Sequence, residues 1–159
     1  MTLTIPPALS ARLATLRPWQ ALPIRLIVGY GFMAHGWAKL MRGPEHFAAI
    51  LQAIGVPAPT LMAWATVWVE LLGGLAVLLG VAIPLVAGPM IAILAVAIVT
   101  VHLPNGFSSI KLQGFDAAGA HFGQPGYETD LLYLAGIVAL VLGGAGPLSA
   151  QSLASRRRA

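Results

Sequence analysis

Glu70, His35 and His102 are the residues of this 159-residue chain best suited to moving protons, and all three stand in or at the end of apolar runs. A carboxyl group beside an imidazole is what proton exchange with a bound molecule requires. An ionisable group within hydrocarbon costs about 3 kcal/mol on insertion scales, so intramembrane charges are functional candidates by default. Arg25, Lys39, Glu128 and Phe32 are the candidate binding residues that accompany them.

The elements that must position these groups begin with Arg25 to Lys39, an apolar stretch holding an arginine, a histidine and a lysine. At about 100° per residue, Arg25, His35 and Lys39 fall within an arc of about 80° on a helix. Gly29, Phe32 and Gly36 lie in or beside that arc. One face of the helix is therefore both charged and thin. It is expected to look inward and to find its partners on other helices.

Composition sets the class. The chain is 58% hydrophobic and 9% charged, with mean hydropathy +0.84. A soluble domain carries about 25% charged residues, so a membrane protein is expected. With no cysteine, dithiol chemistry and thiolate metal sites are excluded within the chain. The net charge of +4 comes from basic residues near the ends of apolar segments, which points to membrane orientation and away from nucleic acid.

Four helices are expected, at about 23–41, 60–80, 84–103 and 128–142, each bounded by proline or glycine. They make an all-α, integral-membrane four-helix bundle over residues 21–149. Residues 1–20 precede it. They lack the apolar core and small-residue cleavage site of a signal peptide. Leu9, Leu13 and Leu16 share one helical face there, which fits a short interfacial helix or a frayed basic tail. Glu45 to Gln52 reads as a short amphipathic helix on the surface. Residues 104–127 read as a long polar connection, of the sort that serves as a lid or is mobile. Residues 150–159 form a basic tail ending in Arg156–Arg158. Arg12, Arg17 and these arginines share one side, so the positive-inside rule places both termini in the cytoplasm.

Glycines seven apart recur as Gly29 and Gly36, Gly73 and Gly80, and Gly136 and Gly143. That spacing predicts close helix seams, which would serve a homo-oligomer as well as a monomer. Along the bundle axis, Lys39, His102 and Glu128 lie within about 3 Å of the outer helix ends, His35 about 9 Å down, Glu70 about 15 Å and Arg25 about 24 Å. Arg25 and His35 are thus both expected to reach toward Glu70. Each group also has a plainer role. Arg25 and Lys39 can snorkel to the two interfaces, and His102 and Glu128 can sit at helix ends among headgroups. His35 and His102 differ in depth by about 6–7 Å, which argues against a haem or metal pair.

The order of these features resembles the DoxX family. Arg25-x3-Gly29 and Phe32-x-x-His35-Gly36-x-x-Lys39-Leu40 resemble its first helix, and Gly55-Val-Pro57 the turn that follows. Val69-Glu70-Leu71-Leu72-Gly73-Gly74 resembles its second helix. His102 with Asn105-Gly106-Phe107, and Gly126-Tyr127-Glu128 with Leu131-Leu132, resemble the end of the third and the entry to the fourth. Gly144-Ala-Gly-Pro-Leu-Ser149 resembles its ending. The likeness covers about residues 20–149.

The resemblance implies a multi-pass protein of the bacterial inner membrane and a link to quinone-dependent redox chemistry. On that reading His35 and His102 meet the quinone carbonyls or carry protons, Glu70 exchanges protons, and Arg25 and Lys39 tune its charge. No covalently held cofactor is implied. Electrons would come from a soluble or membrane-bound redox partner protein or from a reduced small molecule. The other readings are a non-enzymatic binder or transporter of a phenolic or amphipathic molecule, and a scaffold subunit.

Overall fold

The structure is a computed structural model that describes residues 6–156; Arg157 and Arg158 of the expected basic run lie outside the described residues. It is mostly helical. Helix α1 covers Pro7–Leu16, and a single 3-10 turn joins it to α2, Ala21–Arg42. Helix α3, Pro44–Ala53, opens on a proline whose missing N–H is no loss there, with Glu45 in the first turn, where the helix dipole favours a carboxylate. Helix α4 runs Pro59–Leu79 and α5 runs Ile83–Asn105. Helix α6 covers Glu128–Gly143 and α7 covers Ala150–Arg156.

Helices α4 and α5 are long and apolar enough to cross a membrane. Helix α2 has 22 residues but carries Arg25, His35 and Lys39, and α6 has 16.

Helix α2 is the spine of the bundle. Its Val28 and Phe32 join Val77, Met90, Ile137 and Leu140 in one buried cluster drawn from four helices. Its other face leaves Leu26, Ile27, Tyr30, Trp37 and Met41 exposed, an apolar surface suited to lipid. Against α4 the two backbones nearly touch. A Cβ on Gly74 would stand 2.7 Å from the Gly29 carbonyl oxygen, and one on Gly29 would stand 2.8 Å from the Gly74 oxygen. Only glycine at both positions permits that crossing.

The seam is thus Gly29, Gly36 and Gly74. Gly73 turns instead to Met90 of α5, and Gly80 ends α4 at φ +67°, a left-handed conformation that glycine adopts without strain.

The expected featureless connection at 104–127 contains a β-hairpin. Strand β1, Leu112–Asp116, pairs antiparallel with β2, Gly119–Phe122, with Phe115 opposite Ala120 and an irregularity between Leu112 and Gly114. The segment is stitched to the start of α6. Glu128 accepts a hydrogen bond from the Ser109 N–H at 2.9 Å, and Phe107 meets Tyr127 edge to face. Within the hairpin, Asp116 accepts from His121 at 2.8 Å and from the Ala118 N–H at 2.7 Å. These bonds, led by that from His121, hold the Asp116 carboxyl below its usual range. Helix α1 is helical as an interfacial segment requires, with Leu9, Leu13 and Leu16 exposed.

Candidate functional site

A cavity of about 600 Å³ lies between α2, α3, α4, α5 and the start of α6. Ile50 and Leu51 of α3, with Ile54 just past its end, form one apolar wall and Ala92, Ile93 and Val96 of α5 another. Phe32 and Tyr133 close a third side, their rings edge to face at 5.6 Å. The Tyr133 hydroxyl fits only because residue 31 is glycine: a Cβ there would stand 1.8 Å from its oxygen.

Two acid–base pairs, one ionic and one imidazole–carboxylate, reach this apolar space. Lys39 of α2 donates to both carboxylate oxygens of Glu70 of α4 at 2.6 Å. The Glu70 side chain is 5% exposed and that of Lys39 22%. The Lys39 ammonium also lies 5.0 Å from the centre of the Phe47 ring, a cation–π contact. On α5, His102 Nδ1 meets Asp130 Oδ2 of α6 at 2.5 Å, with side-chain exposures of 26% and 11%. The carboxylate fixes the orientation of the ring, and Nε2 carries no hydrogen bond among the described residues. His35 lines the cavity with an exposed ring, and among the described residues it makes no hydrogen bond. Its charged neighbours are Lys39, Asp130 and His102.

Local backbone geometry aims two of these groups. Val69–Gly73, which contains Glu70, and Ile98–His102 both form π-type turns within otherwise α-helical spans. Such a turn inserts one extra residue, swings the side chains that follow, and is frequent at functional sites. Gly36 completes the placement of Glu70. A Cβ there would lie 3.0 Å from the Glu70 Cβ, so the bare face of α2 lets that stretch of α4 come close.

The structure brings Glu70, His35, His102, Lys39 and Phe32 to the cavity and leaves Arg25 and Glu128 outside it. Arg25 does not reach Glu70. Its guanidinium is buried at the opposite end of α2, where it donates to the carbonyls of Leu78 at 2.7 Å, Ala145 at 3.0 Å and Val77 at 3.2 Å. Longer contacts run to Leu148 at 3.3 Å and Pro147 at 3.4 Å. The last carbonyls of α4, at the negative end of its dipole, are a nearer attraction there than a carboxylate deeper in the bundle. Glu128 is spent on the Ser109 N–H. Lys39, rather than Arg25 or His35, pairs with Glu70. Axial arithmetic sets all helix ends level, and the Gly36–Glu70 approach shows that they are not.

Asp130 and Tyr133 are the residues sequence reasoning passed over. Glu128 and Asp130 are two apart, so on a helix they point about 200° from one another. If Glu128 serves the loop, Asp130 must face elsewhere, and that was the available signal.

Fold and site define a helical protein with membrane-length apolar helices around a cavity bearing two acid–base pairs. The family profile of DoxX matches residues 20–103. The chain is 33% identical over 144 residues to an uncharacterized membrane protein of Mycobacterium tuberculosis, covering 88% of this chain and 84% of the relative. It belongs to the DoxX family of membrane proteins. No solved structure matches it significantly.

Proposed function

We propose that this protein is a quinone- or quinol-interacting subunit of a bacterial inner-membrane redox system. In this reading α2, α4, α5 and α6 all span the bilayer, with both termini in the cytoplasm. Helix α2 is about 33 Å long and α6 about 24 Å, which serves a core of about 30 Å when flanking residues snorkel or the bilayer thins. The exposed apolar face of α2 supports its placement against lipid, and Arg12 and Arg17 support the orientation.

The observation that carries the functional reading is an apolar cavity reached by two separate acid–base pairs, Lys39–Glu70 and His102–Asp130. Ligand cavities usually hold about 300–1,000 Å³, so a single ring with its substituents fits. Quinone reduction places two electrons and two protons on the substrate, the protons at its two oxygens. The apolar walls of α3 and α5 suit a ring face. The Lys39 ammonium and the free His35 imidazole are donors suited to one oxygen, and His102 Nε2 is suited to the other. Glu70 and His102 are the groups that hold and release protons, each oriented by its fixed partner. Asp130 acts through His102 as a positioning residue. The chain has no cysteine, so electrons arrive from a partner protein or a reduced small molecule.

The absence of any thiol favours a second reading, a binder or transporter of a phenolic or amphipathic molecule that undergoes no redox change. The test is quantification of quinone extracted from protein purified in mild detergent. The redox reading expects near-stoichiometric quinone, lost in Glu70→Gln and His102→Ala variants shown to remain folded by their unfolding transitions. No quinone in native protein, with flux of a phenol into vesicles holding the protein alone, would move the assignment to transport.

A further inference from the structure

A second, smaller recess of about 220 Å³ adjoins the cavity at the junction of α2 and α3. It shares His35, Lys39, Phe47 and Ile50 with the cavity and adds Arg42 and His46. Neither the Arg42 nor the His46 side chain has a hydrogen-bond or ion-pair partner among the described residues. Gly43, at the junction of α2 and α3, completes the lining on that side.

Lys39 is neutralised by Glu70, which leaves Arg42 as the full positive charge facing the recess, with the His35 and His46 rings beside it as hydrogen-bonding groups. Glu45 opposes it from the rim. A Cβ on Gly43 would lie 3.5 Å from the Glu45 carboxylate, but Glu45 does not line the recess.

We propose that this recess binds the anionic head of an amphiphile whose apolar remainder follows the shared wall of Phe47 and Ile50 into the cavity. The chemistry is a single negative charge, carboxylate or phosphodiester, joined to an apolar body. Arg42 and His46 bind the head, and the walls of α3 and α5 cover the body. Neither end alone accounts for a cationic recess continuous with an apolar cavity. The inference does not depend on the quinone reading, since it requires only the recess and the shared wall.

The test is native mass spectrometry of the delipidated full chain in neutral detergent, titrated separately with phosphatidylglycerol, oleate and phosphatidylcholine. The expected result is retention of an anionic amphiphile over phosphatidylcholine by at least about five-fold, the discrimination one partly exposed charge supplies. Arg42→Gln with His46→Gln should abolish that preference, Glu45→Gln should raise it, and Arg17→Gln, in the turn before the far end of α2, should leave it unchanged. Retention of phosphatidylglycerol alone assigns the head to lipid phosphate, and retention of oleate alone assigns it to a free carboxylic acid.

Equal retention of phosphatidylcholine, or a preference that survives in the Arg42→Gln, His46→Gln variant, would overturn the proposal. Loss of the preference in Arg17→Gln would do the same. Melting curves separate lost binding from lost folding. Quinone content of the same variants separates failure here from failure of the redox reading.

Discussion

Replacing Arg25 by methionine removes a guanidinium that ties the end of α4 to the segment after α6. Three of its contacts are short, to Leu78 at 2.7 Å, Ala145 at 3.0 Å and Val77 at 3.2 Å. Hydrogen bonds from a charged donor contribute about 1.5–3 kcal/mol each. The two longer contacts are counted as nothing. Val77 keeps a second partner, the Gly80 N–H at 3.0 Å, so its carbonyl is not orphaned. Leu78 and Ala145 are left without Arg25, and methionine regains some burial. The net loss is about 3 kcal/mol, or roughly 6–12 °C in melting temperature for a chain of this size. Lysine, with one nitrogen, should recover less than half. The assay is thermal unfolding in detergent followed by tryptophan fluorescence, with cavity ligand content measured in parallel. Unchanged melting together with loss of ligand would refute the reasoning, because it would return Arg25 to the site.

Lys39→Met leaves Glu70 buried without its cation and should destabilise by about 3–5 kcal/mol. The double variant Lys39→Met, Glu70→Gln should recover much of that, and additive losses in a melting cycle would contradict the pairing. Gly74→Ala places a methyl 2.7 Å from the Gly29 oxygen and should cost about 1–3 kcal/mol by chemical unfolding; a neutral result would mean that α2 and α4 cross elsewhere. In the hairpin, a carboxyl held below its usual range contributes stability that is present above the unfolded pKa and lost as pH falls through the folded one. The Asp116–Ala118 bond should therefore persist at neutral pH and open below the ordinary aspartate range of about 4. The Ala118 amide resonance reports this directly, and an unchanged resonance under acid would count against it.

The helices are legible in the sequence because proline and glycine bound long apolar runs, and those boundaries need no tertiary information. The inner face of α2 is legible for a similar reason: Arg25, Gly29, Phe32 and Gly36 share an arc, and all four are buried. What the sequence conceals is set by partners and by local register. In a helix apolar on every side, nothing in the periodicity marks a π-type turn, so the aim of Glu70 and His102 cannot be read from spacing. Lys39 reads as an interface anchor until Gly36 is seen to bring α4 within its reach. Arg25 reads as a site residue because intramembrane charge suggests function, whereas carbonyls at the end of α4 satisfy it. The hairpin is hidden by glycines at 114 and 119 that weaken any strand pattern.

The central claim is that a quinone ring lies between the two acid–base pairs. Photolabelling with an azido-quinone, followed by peptide mapping, tests it most directly. Labels are expected on the cavity walls, at Ile50–Ile54 at the end of α3 and at Ala92–Val96 of α5. Those labels should be suppressed by excess unlabelled quinone and weakened in Asp130→Asn. Labels confined to residues on the exposed face of α2 such as Ile27 and Tyr30, or labels that excess quinone does not suppress, would contradict it.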